Sequence, residues 1–180
     1  MRHFSFQEYL CMVIIAVYSV GIIVDIAKKR YKDLNFALSV ILLVVSITIT
    51  FITAPAFVVG ESMEPTLKDK DVLMVDKFTR DFEAGDIVVL YSKEINKSLI
   101  KRIVAKGGDT VHMVTGDLYV NDKLVEANYD TIPTFETFDK ITVPEGEYFV
   151  MGDNRPNSLD SRNENIGCIE EKYIYGEILR

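Results

Sequence analysis

Cysteine and histidine are scarce in this 180-residue chain, which has two of each: Cys11 and Cys168, His3 and His112. Cys11 lies in an apolar run near the start and Cys168 near the end, so an intrachain disulfide is not expected to order the fold. The four residues show none of the paired spacing that holds a metal, and no cofactor is expected. Positive charge is also in short supply, with a formal total of −7. Residues 1–56 carry five basic side chains (Arg2, Lys28, Lys29, Arg30, Lys32) and three acids (Glu8, Asp25, Asp33), so that segment is +2 and the remainder is −9. A domain this acidic has no electrostatic means of neutralising phosphates, and nucleic acid is excluded as a partner.

Long apolar runs, by contrast, are present. Residues 9–24 hold no charge, and 36–54 are nineteen residues without one. A bilayer core takes about 20 apolar residues of helix, within a range of about 17–25. The sequence thus predicts two transmembrane helices, at about 9–26 and 36–54, in a membrane anchor over 1–56. The basic loop between them, 27–33, is expected to stay in the cytoplasm, which puts everything after Ala54 outside. This predicts a multi-pass membrane protein, with the lipid bilayer as a partner and its larger domain on the outer face. The alternative is that the first run is a cleavable export signal. Against it, a single basic residue precedes that run and the basic cluster follows.

After Pro55 the pattern changes to short runs with period-two alternation, separated by turn signals. The stretches 71–78, 86–92, 98–106, 117–125, 140–143 and 147–153 read as strands from their β-branched and aromatic content. Asn121-Asp122 reads as a tight hairpin turn. No stretch of ten residues shows helical periodicity there. The fold class expected for 57–180 is therefore mainly β, an antiparallel extracytoplasmic domain without repeats.

Three stretches of that domain hold side chains capable of chemistry. Ser62 stands in GESMEPTL, with a glycine before it and Pro65 stiffening the chain after it. A serine beside such a turn often does no more than satisfy a backbone group. It lies eight residues after Ala54, hence within about 28 Å of the membrane boundary, where a nucleophile suits a substrate held at the membrane. Lys101 falls inside a strand, sharing a face with Leu99 and Ile103. A lysine among apolar neighbours is commonly one that snorkels from a sheet edge. As a general base it has to be neutral, and at its usual pKa of about 10.4 well under 1% is neutral at pH 8. Burial favours the neutral form, and a drop of about three units corresponds to roughly 4 kcal/mol. The third stretch, GDNRPNSLDSR over 152–162, reads equally as a solvated loop or as a polar cluster. In it Asp160 and Arg162 can pair, and Ser158 can orient another polar group.

Together these stretches resemble bacterial type I signal peptidases. The likeness rests on SMEPTL with Ser62, GDIVVLY over 85–91, KRIVAKGGD over 101–109 and GDNRPNSLDSR, in the family's order and spacing, and covers the chain from about Pro55 onward. It implies an antiparallel β catalytic domain and removal of signal peptides from exported preproteins with small residues before the cut. In this reading Ser62 is the nucleophile, Lys101 the general base and the Ser62 N–H an oxyanion donor. Ser158 matches the serine that hydrogen-bonds the lysine, and Asp160 and Arg162 match a supporting charge pair. Asp153 and Asn154 match the same box without a defined role. Two departures stand out. Gly60 occupies a position where some relatives have a serine that helps the oxyanion hole, and Ala105 and Gly107 replace glycine and proline at what read as turn positions. The rival readings are a self-cleaving Ser–Lys repressor-type protease, a silent membrane-anchored peptide-binding module, and a Ser–His–Asp hydrolase using His112. The apolar runs and acidic domain weigh against the first, the presence of both Ser62 and Lys101 against the second. Nothing in the sequence ties His112 to Ser62.

Overall fold

The computed structural model describes residues 6–28, 34–126 and 129–179. Its contacts divide the chain into two units, Met1–Pro55 and Ala56–Arg180.

The first unit contains two helices, α1 (Phe6–Ala27) and α2 (Leu34–Ile52), which pack against each other. Hydroxyls inside them return to the carbonyl one turn back, Ser19 to Ile15 at 2.8 Å and Ser39 to Asn35 at 2.9 Å, which satisfies both within the helix. Helices stand where the sequence predicts them, but the two expected transmembrane spans are not supported. Among the described residues, no helix is long and apolar enough to cross a membrane. Residues 29–33 of the predicted basic loop lie outside the described residues.

The second unit is mainly β, as expected. Its strands are β1 (Thr53–Phe57), β2 (Val72–Asp76), β3 (Ile87–Ser92), β4 (Lys97–Lys106), β5 (Thr110–Val114), β6 (Asp117–Val120), β7 (Lys123–Leu124), β8 (Phe138–Thr142), β9 (Glu147–Met151), β10 (Ile169–Glu170) and β11 (Ile174–Leu179). They form a seven-stranded sheet in the order β1-β2-β11-β3-β4-β9-β10 and a four-stranded sheet in the order β7-β6-β5-β8. The pairs from β2 to β10, and all pairs of the smaller sheet, run antiparallel. The predicted hairpin lies between β6 and β7, where Asn121 and Asp122 both take positive φ, as a tight primed turn demands.

Strand β4 is central, paired with β3 on one side and β9 on the other. All five residues 101–105 are buried. Both faces of the strand are therefore covered, one by a cluster around Phe82, Val88 and Ile103, the other by a cluster around Ala105, Val111, Met113 and Phe149. A third cluster, around Val58, Met63, Leu67, Val75, Ile87 and Ile178, roots the segment that carries Ser62. Ala105 is not in a turn. It is a buried strand residue opposite Phe149, while Gly107 does lie in the turn, where a Cβ would come 2.9 Å from Glu145 Cα.

Candidate active site

Ser62 sits on a turn whose two ends are tied down. Upstream, the Gly60 N–H donates to Asp69 Oδ1 at 2.9 Å, and Gly60 takes φ +91, a conformation glycine adopts without a Cβ penalty. Downstream, Leu67 N–H donates to the Met63 carbonyl at 2.9 Å, and Met63 is almost wholly buried. The serine is thus held between a polar clasp and an apolar anchor.

Lys101 projects from β4 with only 2% of its surface exposed, and its Nζ donates to Ser62 Oγ at 2.6 Å. Burial pushes the amine down to about 8, helped by the Arg162 charge and opposed by the Asp160 and Asp153 carboxylates. At pH 8 about half of such amines are neutral, and a neutral amine at this distance can accept the serine proton.

Residue 102, next along the strand, faces the opposite way and supplies the site's largest buried ion pair. Arg102 grips Asp153 at both ends, Nε to Oδ1 at 2.9 Å and Nη2 to Oδ2 at 2.5 Å, and spends Nη1 on the Gly85 carbonyl at 2.7 Å. The Thr66 hydroxyl donates to the same carboxylate at 2.5 Å, and the Tyr129 ring lies 3.6 Å from the guanidinium carbon. The turn that carries Ser62, the strand that carries Lys101 and the 152–162 stretch therefore meet at one carboxylate. Breaking a buried pair by removing one partner typically costs about 3–5 kcal/mol, because the other charge is left stranded. Arg102→Met alone is expected to lose stability on that scale. Replacing both partners, in Arg102→Met with Asp153→Leu, should lose less, as chemical denaturation of the two variants will show.

The 152–162 stretch is a folded cluster and not a solvated loop. Asp160 holds Arg162 in a bidentate pair at 2.8 and 2.9 Å and accepts the Gly152 N–H at 2.9 Å. Arg162 also reaches Glu136 and the Arg155 carbonyl. Asp153, Asp160 and Ser161 are each buried to within a few per cent. Ser158 departs from expectation. Among the described residues its buried Oγ has no hydrogen-bond partner, and the lysine amine is directed at Ser62 instead. The Ser158 hydroxyl is lodged against Gly152, 2.3 Å from where a Cβ on that glycine would stand.

Elsewhere, His112 lies in β5 of the smaller sheet, stacked on Tyr119 at 4.9 Å, with its Nδ1 3.9 Å from Asp122 Oδ1. The Cys168 thiol is free, and burial, with Glu147 nearby, pushes it up to about 11, far from a reactive thiolate. Sequence reasoning missed Thr66, Arg102, Gly152 and Tyr129 as parts of this site. The first three lie inside or beside the recognised stretches, but only contacts across the fold reveal what they do.

The family model described as signal peptidase, peptidase S26 matches residues 31–179. The chain belongs to that family. Among its relatives, Signal peptidase I U of Bacillus subtilis (strain 168) is 39% identical over 168 residues, covering 85% of this chain and 89% of the relative. Signal peptidase I of Bacillus amyloliquefaciens is 40% identical over 164 residues, covering 83% and 87%. A crystal structure of a signal peptidase I from Enterococcus faecalis V583 is 28% identical, with a TM-score of 0.47, and covers 56% of this chain and 97% of that one. Within the peptidase S26 family the stretches around Ser62, Lys101 and 152–162 are those on which the sequence resemblance rests.

Proposed function

We propose that this peptidase is a serine endopeptidase that removes N-terminal signal peptides from exported preproteins, with Ser62 as nucleophile and Lys101 as general base. The observation that carries the reading is the 2.6 Å contact between the Lys101 amine and Ser62 Oγ, made by an amine whose burial brings it down to about 8. The neutral amine takes the hydroxyl proton as Oγ attacks the carbonyl carbon of the scissile bond. The resulting ammonium returns that proton to the leaving amine as the acyl-enzyme forms. The freed lysine then takes a proton from water, which attacks the ester and releases Ser62. The Ser62 N–H supports the oxyanion in both steps.

An open cleft lined by Val59, Gly60, Glu61, Ser62, Asp69 and Asn157 supports binding of an extended peptide beside the segment that leads into the serine. Small residues before the cut are the preference the family resemblance implies. Signal peptides are themselves apolar, and the uncharged run 36–54 of this chain shares their affinity for lipid, which supports cleavage at a bilayer surface on the side to which preproteins are delivered. Of the Asp160–Arg162 pair, the Arg162 charge favours the neutral amine while Asp160 opposes it, and Ser158 packs against Gly152. The silent-module reading is weaker. A binding module gains nothing from a buried lysine aimed at a serine, and burying that charge costs it stability.

The test is cleavage of a signal-peptide-bearing preprotein in detergent by wild type and Ser62→Ala, from pH 6 to 10. Wild type is expected to cut after a small residue, with kcat/KM rising through a midpoint near 8 as Lys101 loses its proton. Ser62→Ala is expected to be silent though folded. Cleavage by Ser62→Ala at the wild-type rate, or a wild-type rate flat across this range, would refute the assignment.

A further inference from the structure

Asn154 has no part in the proton transfers above, yet it touches the nucleophile's backbone twice. Its side-chain Nδ2 donates to the Glu61 carbonyl at 3.1 Å, and its main-chain N–H donates to the Ser62 carbonyl at 3.0 Å. The two peptide planes that flank the Ser62 Cα are therefore both held by one residue. In a trans peptide the C=O and the following N–H point in opposite directions. Among the described residues the cis bond is Glu64–Pro65, so the Glu61–Ser62 bond is trans. Pulling the Glu61 carbonyl inward onto Asn154 turns the Ser62 N–H outward, away from the 152–162 stretch.

We infer that Asn154 is a positioning residue which sets the direction of the Ser62 N–H and so builds the oxyanion hole. The inference rests on the reading of Ser62 as nucleophile given above. Gly60 brings no side-chain donor to this corner, so a backbone N–H has to meet the developing charge, and its value depends on where it points. Asn154 is itself rigid. It is 6% exposed and sits between Asp153, locked by Arg102, and Arg155, whose Nε donates to the Gly152 carbonyl at 3.1 Å and whose N–H donates to Ile132 at 3.1 Å. The Glu61 carbonyl also accepts the Glu64 N–H at 3.1 Å, a bond within the turn that moves with the turn and cannot orient it against the rest of the site. Among the described residues, only the Asn154 amide ties that carbonyl to the 152–162 stretch.

The test uses the full chain in detergent with a preprotein substrate, and compares wild type, Asn154→Leu, Asn154→Ala and Ser62→Ala. Leucine keeps the volume and the main-chain N–H while deleting the amide, and alanine deletes the amide without adding bulk. Rates are taken per folded molecule, from thermal melts on the same samples. An oxyanion donor acts in the transition state and not on bound substrate. Both Asn154 variants are therefore expected to lose kcat by about 10- to 100-fold, short of the roughly 10²–10³ lost when an oxyanion donor is deleted outright. KM should stay within about twofold and the pH midpoint should stay at the wild-type value, since the Lys101 environment is untouched. A wild-type kcat per folded molecule overturns the inference, as does a loss carried by KM or a displaced pH midpoint. Ser62→Ala separates this outcome from failure of the underlying reading: if it cleaves, the nucleophile assignment falls, and if it is silent, the Asn154 variants judge the inference alone.

Discussion

Lys101→Met is expected to abolish cleavage and at the same time to make the protein more resistant to unfolding at pH 7. Methionine fills the volume of the lysine stem but can neither take the Ser62 proton nor return it. General-base catalysis alone contributes about 10²–10⁴-fold, and in the proposed mechanism one amine serves both acylation and deacylation, so a loss of at least about 10³-fold in kcat is expected. The stability gain follows from linkage. The amine is pushed from its ordinary 10.5 to about 8, a difference worth about 3 kcal/mol. Below pH 8 the lysine is protonated in folded and unfolded chains alike, and the folded state bears the whole cost of the buried charge. Between 8 and 10.5 the unfolded chain holds a proton that the folded one has released, so wild type gains stability as pH rises. Above 10.5 both are neutral and the cost is gone. Loss of the bond to Ser62 takes back about 1 kcal/mol. The variant's advantage is thus expected to be largest below pH 8 and to shrink to nothing or less by pH 10.5. Chemical denaturation of both proteins at pH 7 and pH 10.5 measures it. An equal difference at the two pH values would show that burial of the amine carries no cost.

The second large effect is expected from the smallest change, Gly152→Ala. This glycine does not have positive φ, so alanine suffers no backbone strain there. Its methyl, however, would stand 2.4 Å from the Ser62 carbonyl oxygen, 2.3 Å from Ser158 Oγ and 2.6 Å from Ser158 Cβ. A side chain can swing away, but the Ser62 carbonyl is main chain, and moving it moves Ser62, the proposed nucleophile. Misplacing a reacting group by about 1 Å can cost about 10²-fold. We expect kcat/KM to fall by about that factor or more, with about 1–3 kcal/mol of stability lost to overpacking. The double variant Gly152→Ala with Ser158→Ala keeps the clash with the carbonyl and so should recover stability in part and activity hardly at all. Full recovery of activity in the double variant would instead place the fault with the hydroxyl of Ser158.

These two residues mark the limit of what the sequence discloses. Strands β2, β3 and β4 and the turn before β7 were legible because each has period-two alternation bounded by turn residues, and local chemistry suffices for such segments. Strand β11 was not, because IYGEIL is broken by Gly176, which reads as a stop. In the fold that glycine is needed for close approach of β2: a Cβ there would meet the Asp76 carbonyl oxygen at 2.0 Å. Strand β1 hid in the tail of an apolar run ending in Thr53-Ala54-Pro55, and β5 is a five-residue strand directly after a glycine turn. At the site, Ser62 and Lys101 were legible through their stretches, and the Asp160–Arg162 pair through its spacing of two. Their supports were not. Thr66 meets Asp153 across 87 positions, and Asn154 meets Glu61 across 93. No periodicity encodes a contact of that span. The expected bond from Ser158 to the lysine failed for the same reason, since a motif gives residue types and only packing gives the direction of a hydroxyl.

The carboxylate of Asp153 joins the turn of Thr66 to the strand of Arg102, and it comes late in the chain. A ribosome delivers the serine about ninety residues before that carboxylate, and the lysine about fifty before it. A nascent chain therefore carries both reactive groups long before anything exists to bring them into register. Until residues 152–162 emerge and dock, the Asp153 carboxylate that joins the Thr66 turn to β4 is missing. In the proposed mechanism the dyad is therefore complete only once the 152–162 stretch has docked.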